Sequence, residues 1–151
     1  MPFTPNDIKS ILLADDDEDD RSFFSDALKE VSGETELITA ENGLQLMDIL
    51  KSKPLPQTTL LFLDLNMPLK NGYECLEEIK QKDDLKNLPV IIFSTSVQPE
   101  TVNSVYKNGA SLYIVKPNSF PKLKNIIQHV LSLPWEDRMQ QPSREKFILQ
   151  S

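Results

Sequence analysis

The residues of this sequence that could do chemistry stand at the ends of short apolar runs. They are two adjacent acids, a third acid, a hydroxyl and an ammonium: Asp15 and Asp16, Asp64, Ser94, and Lys116. If the runs are parallel strands, these side chains share one edge of a sheet. Ligands of such sheets bind beyond the carboxyl ends of the strands. The sequence therefore predicts a site at that edge.

Three carboxylates at one edge repel each other unless a cation lies among them. Oxygen ligands without His or Cys favour a hard cation, Mg²⁺ before Zn²⁺. A carboxylate such as Asp64 is ionised at neutral pH and could attack phosphorus without a general base. Mg²⁺, Lys116 and the Ser94 hydroxyl could then stabilise the negative charge that develops on a transferring phosphoryl group. The pattern indicates an acyl phosphate, whose new charge can bias a two-state protein.

The acidic run in "LLADDDEDD" (12–20) has two interpretations. Blocks of like charge are often solvated tails. We interpret Asp15 and Asp16 as cation ligands, because they directly follow an apolar run. The acids at 17–20 then form the acidic opening of a helix, where the helix dipole favours them. Because three aspartates are adjacent, the assignment of the metal ligand could shift by one residue, and Asp17 is the alternative to Asp16.

The elements that must position these residues alternate along the chain. Apolar runs predict five strands, at residues 10–14, 35–39, 59–64, 89–94 and 111–115, and a helical pattern follows each. Asn42 can cap the second helix, Pro99 can open the fourth, and Pro134 should end the fifth. Such alternation predicts an α/β fold with a doubly wound parallel sheet and helices on both faces.

Length and composition are those of one globular domain. The chain has 151 residues and a net charge of −7, which argues against a nucleic-acid binding function. We find no membrane-length apolar run and no signal-peptide pattern, so we expect a cytoplasmic protein without a membrane partner. Neither Cys75 nor His129 has partners suited to catalysis or metal binding. We expect Cys75 to be packed on a helix and His129 to lie on the polar side of the last helix.

Four blocks, "LLADDDEDD", "LFLDLNMPLKNG", "VIIFSTS" and "GASLYIVKP", resemble the receiver domains of two-component response regulators. The resemblance covers residues 9–133. It implies a flavodoxin-like, five-stranded sheet of order 2-1-3-4-5. Residues 1–8 would be an N-terminal lead, and residues 134–151 a short extension without an output domain.

The resemblance also implies a phosphoacceptor and a metal site. Asp64 would accept a phosphoryl group from a phosphohistidine, on a sensor histidine kinase or a phosphotransfer protein. Asp16 would bind Mg²⁺ directly, Asp15 mainly through water, and the backbone carbonyl of Asn66 would complete the protein ligands. The protein would then signal to a downstream protein, and it would not be an enzyme beyond its own phosphorylation and dephosphorylation.

The resemblance further implies a switch. Lys116 would hold a phosphoryl oxygen, and the Lys116–Pro117 peptide bond would be cis, which proline permits. Ser94 would be the switch hydroxyl, where the family more often has Thr, and Tyr113 the aromatic switch residue. Phosphorylation would shift Ser94, draw Tyr113 inward and alter the face of the fourth helix, fifth strand and fifth helix.

The stretches "LDLNMPLKNG", "EIKQKDDLKNLP" and "STS" are similar to stand-alone receivers paired with bacterial phytochromes. Two other functions are alternatives. A phosphatase of the haloacid-dehalogenase type also uses an aspartyl nucleophile, but it needs a second Asp where this chain has Asn66. A degenerate receiver would act only as a docking module, which the intact acids, Ser94 and Lys116 argue against.

The C-terminal extension carries more apolar side chains than a solvated terminus needs: Trp135, Phe147, Ile148 and Leu149. One interpretation is a loose terminus. The other is that these residues dock on this domain or on a second copy and help to build a homodimer.

Overall fold

The computed structural model describes residues 8–52, 54–56, 58–135 and 141–149. The strands are β1 (Ser10–Ala14), β2 (Glu36–Ala40), β3 (Thr59–Leu63), β4 (Val90–Ser94), β5 (Leu112–Val115) and β6 (Ile148–Leu149). The helices are α1 (Glu18–Val31), α2 (Gly43–Ser52), α3 (Gly72–Gln81), α4 (Pro99–Lys107), α5 (Phe120–Leu131) and α6 (Arg144–Phe147). Residues 1–7 of the predicted lead lie outside the described part, as do residues 136–140 and 150–151 of the extension.

The strands form one parallel sheet of order β2-β1-β3-β4-β5-β6. The predicted doubly wound sheet and the order of its first five strands are confirmed. The sixth strand was not predicted. It has two residues, and its register places Ile148 beside Tyr113 and Leu149 beside Ile114. So short a strand leaves no periodic pattern in the sequence.

The two faces of the sheet carry separate apolar cores because successive side chains of a strand point to opposite faces. In β1, Ile11 and Leu13 pack in the core with residues of α1 and α5. Leu12 and Ala14 pack on the other side with residues of α2, α3 and α4. All five residues of β1 are buried, as expected for a central strand covered on both faces.

Local signals set where the helices begin. The Asn42 side chain accepts a hydrogen bond from Gln45 N at 2.8 Å, which confirms the predicted cap of α2. Pro99 opens α4, as predicted, and Ser119 caps α5 by accepting from Lys122 N at 3.3 Å. These contacts satisfy N–H groups that have no partner within the helix. No helix in the described ranges is long and apolar enough to cross a bilayer.

Residues at both ends of the described chain join the cores. Ile8 and Trp135 are buried on the α1 and α5 side, and Phe147 is buried on the other side. Trp135 Nε1 donates to Val130 O at 2.8 Å. The fifth helix ends at Leu131, before Pro134. The described residues of the extension therefore dock on their own domain, in agreement with the docked interpretation rather than with a loose terminus.

Gly72 allows α3 to begin against the end of β3. A Cβ added to this glycine would lie 2.3 Å from Asp64 O and 2.7 Å from Leu65 Cα. The Gly72 N–H donates to Leu65 O at 2.9 Å, which holds the two backbones together. No side chain fits between them, so the glycine fixes the backbone that carries Asp64.

We expect Gly72→Ala to lower the free energy of unfolding by about 2–3 kcal/mol, since the methyl group must push backbone rather than a flexible side chain. Urea denaturation measures the loss. Gly33→Ala is the matched control, because nothing lies within 4 Å of a Cβ added there. Its effect should stay within about 0.5 kcal/mol. Equal losses in the two variants would contradict the close approach.

Candidate functional site

The carboxylates lie at the carboxyl edge of the sheet because the strand pairing continues one residue past β1 and β3. Asp15 N donates to Ala40 O at 3.0 Å, and Asp64 N donates to Ala14 O at 2.9 Å. Asp15 is fully buried, Asp64 is nearly so, and Asp16 is exposed. One carboxylate oxygen from each of these three acids lies within 4.8 Å of the others. The structure thus brings together the acids predicted to meet.

Lys116 places its ammonium inside this cluster. Nζ donates to Asp15 Oδ2 at 2.9 Å, to Asp20 Oδ2 at 3.0 Å and to Asp64 Oδ2 at 3.2 Å. Burial of the ammonium opposes its charge, but the hydrogen bond to Asp15 and the charge of Asp64 outweigh it. The pKa of Lys116 is therefore raised above its usual value. The side chain is a fixed cation between two buried carboxylates.

Asp15 shows the cost of burying a carboxylate. Burial raises its pKa above the usual value, although hydrogen bonds from Asp17 N and from Lys116 act in the opposite direction. The nearby charge of Asp64 raises the pKa further. A divalent cation among these oxygens would relieve the repulsion, and an all-oxygen ligand set suits a hard ion. The residues present therefore fit a divalent cation.

Asp17, the rival of Asp16 in the acidic run, has another role in the structure. Its side chain caps α1 by accepting from Asp20 N at 3.1 Å, and the acids at 18–20 form the first turn, as predicted. The three-carboxylate group contains Asp16 and not Asp17. The geometry therefore favours Asp16 as the cation ligand.

Asn66 and its loop follow Asp64 directly. Asn66 N donates to Asp64 Oδ1 at 3.2 Å, which orients the carboxylate. The loop between β3 and α3 is tied to α3 by an ion pair of Lys70 with Glu78, which also contacts Lys82 at 3.1 Å. The Lys70 hydrogen bond lowers the pKa of Glu78 to about 2. This loop holds the Asn66 backbone beside the acids.

Ser94 and Tyr113 lie on the neighbouring strands. Ser94 is buried at the same edge, where its carbonyl accepts from Lys116 N at 2.9 Å and its hydroxyl accepts from Ser96 N at 3.2 Å. Tyr113 is fully buried, and its hydroxyl donates to Ser96 O at 2.8 Å. Burial raises the pKa of Tyr113. The inward position expected on phosphorylation is thus already adopted here.

One expectation from the resemblance is wrong in this structure. The Lys116–Pro117 peptide bond is trans, since the described residues contain no cis peptide bond. Trans is the more stable isomer even before proline, by about 0.5–1 kcal/mol. With the trans backbone, Lys116 Nζ already contacts Asp15, Asp20 and Asp64, so these contacts do not require the cis form.

Two residues at the site were missed from the sequence. Asp20 contacts Lys116, and Arg21 Nη1 donates to the carbonyl of Asp15 at 2.8 Å. Both belong to the first turns of α1, and the direction that this helix takes from the sheet edge is not a local property of the sequence. Cys75 is buried in α3 and His129 is exposed on α5, as expected. Burial raises the pKa of the Cys75 thiol to about 11, which makes it unreactive.

Comparison with known proteins agrees with this geometry. The family model of the response regulator receiver domain matches residues 11–128. The response regulator Rcp1 of Synechocystis is 33% identical over 142 residues, which cover 91% of this chain and 96% of Rcp1.

Two solved structures are similar to this fold. The phosphorylated cyanobacterial phytochrome response regulator RcpA superposes with a TM-score of 0.73 at 30% identity, covering 81% of this chain and 90% of RcpA. The Mn²⁺-bound form of Rcp1 has a TM-score of 0.73 at 33% identity, covering 89% of this chain and 99% of that structure. The family model matches most of the chain, and the fold and the acidic edge with its lysine agree with that match. This chain therefore belongs to the family of response regulator receiver domains.

Proposed function

We propose that this protein is a single-domain response regulator whose Asp64 accepts a phosphoryl group in a Mg²⁺-dependent reaction. The donor would be a phosphohistidine on a sensor histidine kinase or a phosphotransfer protein. The observation that carries the proposal is the Lys116 ammonium held between Asp15 and Asp64 at the carboxyl edge of the sheet. The similarity to Rcp1, nearly all of which this chain covers, supports the single-domain form.

The reaction follows from the charges at the edge. An oxygen of the Asp64 side chain forms the new bond to phosphorus, and the bond from phosphorus to the donor's imidazole nitrogen breaks. The imidazole keeps the electron pair. The Lys116 ammonium lies 3.2 Å from Asp64 Oδ2, close enough to stabilise negative charge on the transferring oxygens. The Ser94 hydroxyl is the second donor proposed for this charge.

The metal would be held by oxygens of the chain. Asp15, Asp16 and Asp64 supply carboxylates that already lie within 4.8 Å of one another, and the main-chain carbonyl of Asn66 would complete the protein ligands. When bound, Mg²⁺ supplies positive charge next to the attacking carboxylate. Lys116 supplies a further positive charge beside Asp15 and Asp64.

Two alternatives from the sequence are less well supported. A haloacid-dehalogenase phosphatase needs an acid two residues after its nucleophile, and Asn66 offers an amide there. A docking module without chemistry would not need a buried lysine among carboxylates. We propose that the protein is not an enzyme beyond its own phosphorylation and dephosphorylation, and that the aspartyl phosphate changes a surface that a downstream protein binds.

We expect a phosphoryl mass gain on Asp64 when the protein is incubated with Mg²⁺ and acetyl phosphate, because this reagent replaces the phosphohistidine donor. Peptide mass spectrometry locates the group. Asp64→Asn should abolish the gain while the near-isosteric side chain preserves the fold. Asp48→Asn, an exposed change on α2, is the control and should be labelled like the wild type. A gain of wild-type size in Asp64→Asn would overturn the assignment.

Asp16→Ala and Asp17→Ala should have opposite effects. We expect the first to weaken Mg²⁺ binding about tenfold or more with little change in stability, because it removes a charged ligand. The second should keep Mg²⁺ affinity and lower the free energy of unfolding by about 1 kcal/mol, because it removes the cap of α1. A fluorescence titration and urea denaturation measure the two quantities. The reverse pattern would make Asp17 the ligand.

Lys116→Met should destabilise the metal-free protein at pH 7 by about 3 kcal/mol, because it leaves two buried carboxylates without a counter-ion. The loss should shrink at pH 5. Burial raises the pKa of Asp15 in the folded protein above its value in the unfolded chain. Protonation of Asp15 therefore stabilises the folded state at low pH, and this stabilisation is lost as the pH rises through the folded-state pKa. Denaturation with a chelator present measures it. Lys124→Met, in an exposed pair with Glu30, should cost at most about 1 kcal/mol at either pH.

A further inference from the structure

The C-terminal segment, residues 141–149, lies along α4 and the edge of β5. Tyr106 OH donates to Pro142 O at 2.7 Å, and Gln141 Nε2 donates to Ala110 O at 2.7 Å. Arg144 Nε donates to Asn103 Oδ1 at 2.9 Å. Two of these three contacts are made by side chains of the segment, those of Gln141 and Arg144, and the third by its main chain at Pro142. Docking of the segment therefore depends on its side chains as well as on its main chain.

The apolar part of the segment closes the sheet edge. β6 pairs in parallel with β5, which otherwise would present unpaired backbone groups at this edge. The Phe147 side chain is fully buried, with its ring 4.9 Å from that of Tyr106 and 6.3 Å from that of Tyr113. The strand pairing supplies affinity, and the pocket between the two tyrosines selects an aromatic side chain.

The same pocket connects to the phosphoacceptor edge. Tyr113 contacts Phe147 with its ring and donates its hydroxyl to Ser96 O at 2.8 Å. Ser96 N in turn donates to the hydroxyl of Ser94 at 3.2 Å. The main chain of β6 pairs with β5 at this edge, with Ile148 beside Tyr113. The docked segment therefore packs directly against Tyr113 in its present position.

We propose that the edge of β5, with Tyr106 and Tyr113, is a binding surface for a short segment made of a helical turn and a strand, and that residues 141–149 of the chain itself occupy it. We further propose that occupancy is coupled through Tyr113 to phosphorylation of Asp64. The coupling rests on the proposed function, whereas the surface does not. A partner that used this surface would present a Phe at the end of a helical turn, followed by two aliphatic residues in a strand, and it would have to displace the chain's own segment.

The coupling has a definite sign. The docked segment holds Tyr113 inward, the position that we propose phosphorylation favours. Docking and phosphorylation therefore support each other, and linkage requires the two effects to be equal. Couplings between sites typically change affinity from about fivefold to over a hundredfold, and we expect the low end, about fivefold to tenfold.

Full-length wild-type protein, Phe147→Ala and Glu145→Ala test the surface. Hydrogen exchange reports protection of β5 and residues 141–149, and a synthetic peptide of residues 141–151 is the binding probe. Phe147→Ala should lose protection at both places and bind the peptide, whereas the wild type should do neither. Glu145 is exposed in the same segment, so Glu145→Ala should behave like the wild type. Retained protection in Phe147→Ala, or equal peptide binding by all three proteins, would overturn the surface.

Beryllofluoride with Mg²⁺, a phosphoryl mimic, tests the coupling. Phe147→Ala should bind beryllofluoride about fivefold to tenfold more weakly than the wild type, and beryllofluoride should increase protection of residues 141–149 in the wild type by a similar factor. If Phe147→Ala does not fold, two tests remain. One is the measurement on the wild type, and the other is the variant Phe147→Leu, which keeps an apolar side chain. Unchanged affinity and unchanged protection would overturn the coupling.

Two further outcomes are separable. If protection of the segment rises with protein concentration and light scattering shows a dimer, a second copy supplies the occupant and occupancy within one chain is overturned. If neither acetyl phosphate nor beryllofluoride modifies the wild type, the proposed function fails. Peptide binding and hydrogen exchange would still decide the surface, because neither measurement needs the phosphoryl group.

Discussion

The ion pairs of Lys116 with Asp15 and Asp64 are the interaction on which the rest of the site depends. Both carboxylates are nearly inaccessible, and the lysine side chain is largely covered beside them. Breaking such a group by removing one partner leaves an uncompensated buried charge, which typically costs about 3–5 kcal/mol. The sheet can therefore bury acids at this edge only because β5 is followed by a lysine that reaches back across the edge to the ends of β1 and β3.

This constraint explains how stability and chemistry share the same residues. The acids that would bind a metal and accept a phosphoryl group also repel one another, and burial already raises the pKa of Asp15. The lysine that offsets the repulsion lies where it would meet the charge of a transferring group. The glycine at the start of α3 adds a steric condition, since it lets the helix approach the carbonyl of Asp64.

The C-terminal segment extends this arrangement to a second surface. It completes the core under α4 with Phe147 and protects the edge of β5 with two residues of strand. An exposed edge invites pairing with other chains, and covering it is a common defence. Here the cover also contacts Tyr113, whose hydroxyl bonds to the loop that follows Ser94. Protection of the edge and the proposed coupling through Tyr113 therefore involve adjacent residues of one segment.

The sequence by itself determined the alternation of five strands with five helices and the edge at which the polar residues meet. Apolar runs and helix caps are local signals, and parallel strands bring their carboxyl ends together whatever their order. Asp15, Asp16, Asp64, Ser94 and Lys116 could be placed at one edge for that reason.

Only the tertiary structure decided which acid caps α1, which acid besides Asp15 and Asp64 contacts Lys116, and that the bond before Pro117 is trans. The direction in which α1 leaves the sheet determines that Asp17 caps the helix and that Asp20 contacts Lys116. That direction is set by packing of α1 on α5 and the strands. The sixth strand was also beyond the sequence. Two residues cannot form a strand alone, and their stability comes from pairing with Tyr113 and Ile114, which lie far earlier in the chain.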